Sequence, residues 1–294
     1  MADEQPVFPP ELERHIFEIC ALGRPVLAPK LMLVAWRVKQ WIEPLLYRTI
    51  VLGEPSACRE GYPSFTLESL LSTIRAKPPG FLAGAVRNLS LNPSTAGYEE
   101  ILSACTAGLQ NLRIFSIDSA ISGAHALSTL KQLYVFDFPH HLPDSVFAQL
   151  THLDVMGCPP DTFEKGDGLD IFYTSVLQMQ RLTHISFSDD GYTPIFLRLL
   201  RGCAQIQVLF YYDACKDDNA SLLSQESLVE DPRFVVLRFK DLPEIWNWVD
   251  DWHTGVHCGR DYWYRAEQFV RQRRSGEIDR RQCLMSSEAW MSCA

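Results

Sequence analysis

The sequence predicts an α/β chain: a short N-terminal helical unit, an irregular α/β solenoid, and a C-terminal helical cap. Three observations predict it. The first fifty residues place apolar side chains at helical spacing and punctuate them with proline and glycine. The middle repeats a six-residue apolar template, separated by helix-like stretches. The end gathers tryptophans ahead of one further helical pattern. The boundaries expected are 1–52 for the helical unit, 53–245 for the solenoid, 246–275 for the cap and 276–294 for a loosely ordered tail.

Composition narrows the function classes. The chain has 294 residues, 47% hydrophobic and 21% charged, so it can bury a core and does not read as disordered. The longest uninterrupted apolar stretch, residues 31–36, is too short to cross a bilayer. Met1-Ala2-Asp3-Glu4-Gln5 offers no basic lead and no apolar signal segment. Nine cysteines without a CxxC pair read as scattered reduced thiols rather than a disulfide framework or structural zinc. The expectation is an intracellular protein, cytoplasmic or nuclear, neither secreted nor membrane-bound. The net charge of −9 concentrates in residues 53–260, which hold 15 basic against 25 acidic side chains. That field repels a phosphate backbone, so no nucleic-acid partner is expected.

The first helix is predicted from Pro9-Pro10, where proline suits a first turn, to about Leu22, with Gly23 as its stop. Leu12, Ile16, Ile19 and Cys20 share one side with Phe17 flanking them; Glu11, Glu13, Arg14 and Glu18 line the other. A second helix is predicted from about Pro29-Lys30 through Ile42, with Leu31, Val34, Ala35, Val38, Trp41 and Ile42 on one face. Met32, Leu33 and Trp36 lie off that face and are also apolar. So small a unit cannot bury apolar residues all round, so a partner protein or the rest of the chain must cover the second face.

The pieces Phe8-Pro9-Pro10-Glu11-Leu12, Ile16-Phe17, Leu33-Val34-Ala35-Trp36-Arg37-Val38, Trp41 and Pro44-Leu45-Leu46-Tyr47 resemble an F-box, over residues 8–50. The resemblance is closest to the divergent F-box-like proteins of mushroom-forming fungi. Phe8-Pro9-Pro10 departs from the usual Leu-Pro, and Trp36 stands where a cysteine is common. The resemblance implies that Pro9, Pro10, Leu12, Ile16, Phe17, Leu33, Val34 and Trp36 dock on a Skp-type adaptor. The alternative reading is an N-terminal helical cap whose extra apolar face packs on the repeats.

Thr49-Ile50-Val51-Leu52 is predicted as a strand, and residues 64–76 as a helix ended by Pro78-Pro79-Gly80. An LxxLxL template then recurs seven times. Its instances are Val86-Leu89-Leu91, Leu112-Phe115-Ile117, Leu130-Leu133-Val135, Leu150-Leu153-Val155, Leu182-Ile185-Phe187, Ile206-Leu209-Tyr211 and Phe234-Leu237-Phe239. Helices are predicted between them over residues 98–109, 144–150, 171–179 and 194–201. The pattern resembles degenerate leucine-rich repeats, in which strand, return helix and parallel strand stack into a right-handed solenoid. An ordinary α/β domain is the alternative.

Strand alternation turns the residue between the last two apolar positions away from the core. Those residues are Ser90, Ser116, Tyr134, Asp154, Ser186, Phe210 and Arg238, with Phe136, Met156, Ser188, Tyr212 and Lys240 just beyond each triad. Tyr134, Phe136, Asp154, Phe210, Tyr212 and Arg238 are therefore expected to line a concave, target-binding face, since aromatic and arginine side chains dominate protein interfaces. Packing against neighbouring strands is the competing role.

Trp246, Trp248, Trp252 and Trp263 precede Ala266, Phe269, Val270 and the basic run Arg271-Gln272-Arg273-Arg274. They read as a helical cap on the open end of the solenoid. The segments Trp252-His253-Thr254-Gly255 and Asp261-Tyr262-Trp263 also resemble the ends of the same fungal proteins.

Catalytic patterns are missing: no GxSxG elbow, GK[ST] loop, HExxH or dinucleotide glycine motif occurs, and Gly166-Asp167-Gly168 lacks a third glycine. His253, His257 and Cys258 have ligand-like spacing, with Gly255 between the histidines and no clear fourth ligand. His140-His141, Asp189-Asp190-Gly191 and Asp217-Asp218-Asn219 read as turns. No cofactor, no metal and no enzymatic activity are expected. The resemblance implies a substrate receptor of an SCF-type cullin ubiquitin ligase, with the adaptor on the F-box-like unit and an unidentified target protein on the repeats. The alternatives are a repeat-based interaction scaffold without a ligase role, and a metal-dependent enzyme using His253, His257 and Cys258.

Overall fold

The computed structural model describes residues 8–52, 62–91, 97–114, 127–138, 144–158, 168–213, 220–242 and 247–292. The features expected at Met1-Ala2-Asp3-Glu4-Gln5, Phe115, Ser116, Ile117, His140-His141, Gly166-Asp167, Asp217-Asp218-Asn219 and Trp246 lie outside the described residues. The chain divides into two compact units, Met1–Leu109 and Gln110–Ala294.

In the first unit, α1 (Pro10–Gly23) begins where predicted, with the Pro9 carbonyl accepting the Leu12 and Glu13 N–H groups at 3.0 Å. The predicted second helix is broken in two, α2 (Ala28–Leu31) and α3 (Trp36–Leu46). Between them Leu33 N–H bonds the Lys30 carbonyl and Val34 N–H the Leu31 carbonyl, both at 3.1 Å, and Ala35 is extended. The break lets Ala28 and Val38 enter one core with Ala21 and Ile42, ringed by Phe17, Leu31, Met32, Ala35, Trp41, Leu45 and Leu46. The single helical face read from residues 31–42 is thereby corrected: Val34 is turned out while Val38 and Ile42 are turned in.

The helical unit does not end at residue 52, because its last helix is tied to side chains further along the chain. Lys77 Nζ lies 2.7 Å from Glu43 Oε1, and the Tyr47 ring packs on Phe65 and Phe81, each at 5.5 Å. The same unit holds β1 (Thr49–Leu52), α4 (Leu67–Ala76), α5 (Phe81–Ala85), β2 (Asn88–Leu91) and α6 (Tyr98–Cys105). A Thr66–Ser69 capping box starts α4, and the chain leaves the helix at Lys77, ahead of Pro78. Strands β1 and β2 are parallel, with Ile50 opposite Leu89 and Leu52 opposite Leu91.

In the second unit, six strands pair in parallel, each with the next in the chain: β3 (Asn111–Ile114), β4 (Gln132–Val135), β5 (His152–Val155), β6 (His184–Phe187), β7 (Val208–Asp213) and β8 (Phe234–Arg238). Helices α7 (Asp144–Phe147), α8 (Gly168–Gln178), α9 (Thr193–Gly202), α10 (Ala220–Leu223) and α11 (Glu226–Val229) lie between strands in the sequence, as parallel pairing requires a crossover. Leu133, Leu153, Ile185, Leu209 and Phe234 form one cross-strand row, and Val135, Val155, Phe187, Tyr211 and Val236 the next. Phe172 of α8 packs edge-on to Phe187 at 5.7 Å, and Phe196 of α9 lies 5.2 Å from Phe187 and 5.5 Å from Tyr211. These rows are the helix-covered core.

Two of the seven template assignments shift in register. Leu112 stands opposite Leu133, so the β3 triad is Leu109-Leu112-Ile114, all buried, and the residue pointing away is Arg113. Phe234 and Val236 stand opposite Leu209 and Tyr211, so Val235, not Arg238, shares the row of Phe210. Overlapping apolar residues satisfy a loose template in more than one frame; hydrogen-bond register admits only one.

The end of the chain is also corrected. After α12 (Trp248–Cys258) and α13 (Tyr262–Ser275), Leu284 forms a parallel bridge to Val236, with Val236 N–H to the Cys283 carbonyl and Met285 N–H to the Val236 carbonyl, both 2.8 Å. Cys283, Met285 and Trp290 are buried, the last on α14 (Ser287–Ser292). An edge strand leaves a row of unpaired backbone groups, and this segment satisfies those of Val236. Within the expected basic run, Arg273 is buried and donates to the carbonyls of Val229 and Phe234 at 2.5 Å and of Arg280 at 2.5–3.0 Å. No helix among the described residues is long and apolar enough to cross a membrane.

Phe187 joins the side chains of β6, α8 and α9. Phe187→Ala is expected to cost about 3–5 kcal/mol in urea unfolding, against less than about 0.5 kcal/mol for Ile171→Ala on the exposed side of α8.

Candidate functional site

Two surfaces collect the residues singled out by the sequence. The first is the outer side of α1 and the α2–α3 turn. Leu12, Ile16 and Ile19 follow one another at helical spacing and are all exposed, as are Phe8, Val34, Leu33 at 86% and Trp36 at 71%. Of the eight residues expected to meet an adaptor, Pro9, Pro10, Leu12, Ile16, Leu33, Val34 and Trp36 are exposed, whereas Phe17 is half-buried and packs on the unit's core. A two-pronged ion pair holds the start of α3 against the first turn of α1: Arg37 Nη2 lies 2.8 Å from Glu13 Oε1, and Nε 3.0 Å from Oε2. Lys39 Nζ sits 5.3 Å from the centre of the Trp36 ring. Exposed large apolar side chains in such number are unusual for a protein surface, which makes this side the first candidate for an interaction site.

The second surface is the side of β4–β7 turned away from the helix-covered core. Strand alternation places Tyr134, Asp154, Ser186 and Phe210 as expected, opposite one another in a single row. Their expected exposure is corrected. Tyr134, Asp154, Phe210 and Tyr212 are buried, so the open binding face is covered in this structure. The cover is the tryptophan-rich segment itself, which lies over the face of the strands rather than closing an end. Tyr262 Oη donates to Asp154 Oδ2 at 2.7 Å, and Trp263 Nε1 donates to Tyr134 Oη at 3.1 Å. The Phe210 ring lies 5.2 Å from Tyr262, and Tyr212 lies 4.9 Å from Trp248. The remaining expected positions are placed elsewhere. Phe136 is half-buried beneath Gly157, where an added Cβ would come within 2.5 Å of its ring. Arg238 pairs with Asp241 at 3.0 Å, on the face opposite Phe210.

One register position along the same face, His152 and His184 stack with ring centres 4.2 Å apart and planes within 9°, under the edge of Trp263. Thr151 and Thr183 hydroxyls hold their Nδ1 atoms at 2.9 and 2.8 Å, and Glu267 Oε1 lies 2.9 Å from His184 Nε2. Burial, reinforced by neighbouring His184, lowers the His152 pKa to about 3. Sequence reasoning misses this pair because a histidine following a threonine carries no pattern; only the parallel register aligns the two.

The corner where α12 meets α13 is acidic. Asp251 accepts the Tyr262 N–H at 2.7 Å and the Arg265 guanidinium at 2.5 Å. Asp261 caps α13 by accepting the Tyr264 N–H at 3.1 Å. Gly255 leaves room for it: a Cβ there would fall 2.4 Å from Asp261 Oδ2. Burial and the neighbouring Asp251 push the Asp261 carboxyl up to about 7, and burial pushes Asp154 up to about 6.

His253 and His257 lie on α12 with ring centres 4.5 Å apart, and Cys258 is exposed. Among the described residues no three His, Cys, Asp or Glu side chains converge to hold a metal ion, so the proposed ligand set does not assemble. No protein-family profile, no curated protein and no solved structure matches this chain.

Tyr262→Phe leaves Asp154 buried with one donor fewer and is expected to cost about 1–3 kcal/mol by chemical denaturation. The pH dependence has a definite sign. Asp154 and Asp261 have pKa values raised above 3.8, so the stability they contribute is complete below that value and lost as pH rises through about 6 and 7. His152 acts oppositely: its contribution is complete above 6.5 and lost as pH falls towards about 3. Two carboxylates outweigh one imidazole, so unfolding free energy is expected to be lower at pH 7.5 than at pH 5, and Asp261→Asn to flatten the difference.

Proposed function

We propose that this protein is a non-catalytic receptor that docks a Skp-type adaptor of a cullin ubiquitin ligase through α1 and the α2–α3 turn, and holds a target protein with its second unit. The observation that carries the reading is the exposed apolar surface of Leu12, Ile16, Leu33, Val34 and Trp36. These are residues the F-box resemblance assigns to the adaptor, and they are turned outward while Ala21, Ala28, Val38 and Ile42 form the core behind them.

The parallel strands of the second unit, paired in chain order with Leu, Val and Phe rows facing their crossover helices, support the degenerate leucine-rich-repeat reading. Sequential stacking of this kind suits a binding scaffold. Because Tyr134, Asp154, Phe210 and Tyr212 lie beneath α12 and α13, a target meets either the surface outside that cover or the face once the cover has moved.

The test is co-expression of the full chain with a Skp-type adaptor, followed by size-exclusion chromatography. The wild type is expected to co-elute with the adaptor. Leu33→Asp and Trp36→Asp are each expected to lose it, because an unpaired charge in an apolar interface costs several kcal/mol and each 1.4 kcal/mol is about tenfold in affinity. Both positions are exposed, so the variants should fold as the wild type does by circular dichroism. Failure of the wild type to bind would leave an interaction scaffold without a ligase role; binding unchanged by both substitutions would overturn the proposed surface.

A further inference from the structure

We propose that α12 and α13 form a proton-linked cover over the outer face of β4–β7, held closed when Asp261 is protonated and loosened when Asp261 and Asp251 are ionised together. The inference concerns the second unit alone and does not depend on the adaptor reading.

The geometry is that of an over-acidic hinge point. Three carboxylates, Asp154, Asp251 and Asp261, are buried where the cover meets the strands. The buried guanidinium among them, Arg265, is committed to Asp251 at 2.5 Å. The groups that face Asp261 are Asp251 from α12, Arg265 and Tyr262 from α13, and Tyr134 from β4. Asp154 on β5 sits behind Tyr262, within the influence of Arg113 on β3. Asp261 therefore shares the field of a cation already bonded to another carboxylate. The N-terminus of α13 favours the ionised form of its capping residue, but the helix-end contribution is smaller than the burial and like-charge effects acting against it.

The carboxyl cannot swing away to escape its neighbour. On one side it is pressed against the Gly255 backbone of α12, where not even a Cβ would fit; on the other it holds the Tyr264 N–H. Relief of the repulsion requires the two helices to shift relative to each other. The far end of α13 is pinned by Arg273 to the carbonyls of Val229, Phe234 and Arg280. Movement is therefore concentrated at the Trp248–Trp263 end, where the cover is held by separate side-chain bonds, Tyr262 to Asp154 and Trp263 to Tyr134. Opening there uncovers Tyr134, Asp154, Phe210 and Tyr212, a row of aromatic and acidic groups suited to a protein partner.

Hydrogen exchange of the full chain between pH 5.5 and 8.5, corrected for the intrinsic pH dependence of exchange and read peptide by peptide, tests the proposal. Protection of residues 248–265 is expected to fall by up to about tenfold per pH unit as pH rises towards about 7 and to level off above it, because a single linked proton separates the closed from the open form only while Asp261 is still protonated in the closed one. Residues 269–275, which the Arg273 bonds hold in place, should remain more protected than residues 248–265 at every pH. In Asp261→Asn, which retains a capping oxygen, residues 248–265 should stay protected throughout. The wild-type pattern decides even if the variant folds poorly. Protection independent of pH, residues 248–265 protected as strongly as residues 269–275, or the same loss in Asp261→Asn would each overturn the proposal.

Discussion

The second unit depends on the contact between Tyr262-Trp263 and the strand row Tyr134–Asp154–Ser186–Phe210. A parallel sheet is stable when both faces are covered, and among the described residues the crossover helices that pack on these strands meet the face of Phe187 and Tyr211. The C-terminal pair supplies the other side. The contact is polar at its centre, with a phenol on a carboxylate and an indole on a phenol, and aromatic around it. Such a contact specifies one register: a slip of one residue would replace Asp154 by an aliphatic side chain and strand the Tyr262 hydroxyl. The histidine ladder beneath Trp263 obeys the same register.

The first unit makes the opposite choice. Its helices could have hidden their large apolar residues by turning α1 through part of a turn, yet Ala21 is the buried side chain of α1 and Leu12, Ile16 and Ile19 are outside. Ala21 of α1 and Ala28 of α2 meet Val38 and Ile42 of α3 in the core, and the Arg37–Glu13 clamp ties α3 to α1. Leu12, Ile16, Ile19, Leu33, Val34 and Trp36 are then left exposed. That Leu12, Ile16, Leu33 and Trp36 stay outside while Val38 and Ile42 fill the core is what gives the docking proposal its physical content.

Much of the fold was legible in the sequence because it was written in local spacing. Pro10 and Gly23 bracket α1 as expected, residues 49–52 form a strand, and the five templates from Val86 to Tyr211, apart from the β3 frame, fall on strands with their apolar members buried. Errors arose where several local frames were equally good. Leu109 and Leu112 both began acceptable triads, and the 31–42 periodicity was continuous across a break that only the core of Ala28 and Val38 reveals.

The sequence by itself determined which residues alternate, that α1, α4, α6 to α9 and α13 are helical, and which apolar residues the N-terminal helices cannot bury among themselves. It also determined the direction of Tyr134, Asp154 and Phe210, because a strand has a period of two whatever surrounds it. Only the tertiary structure decided whether that outward face meets water. The partners in its contacts are 108 and 129 residues apart along the chain. No local pattern encodes a meeting over that distance; it is set by where the last helices pack once the strands are stacked. For the same reason Arg273, one of the basic run 271–274, lies buried among backbone carbonyls. The tail after Ser275, expected to be loose, is held by the backbone groups of an edge strand that needed a partner.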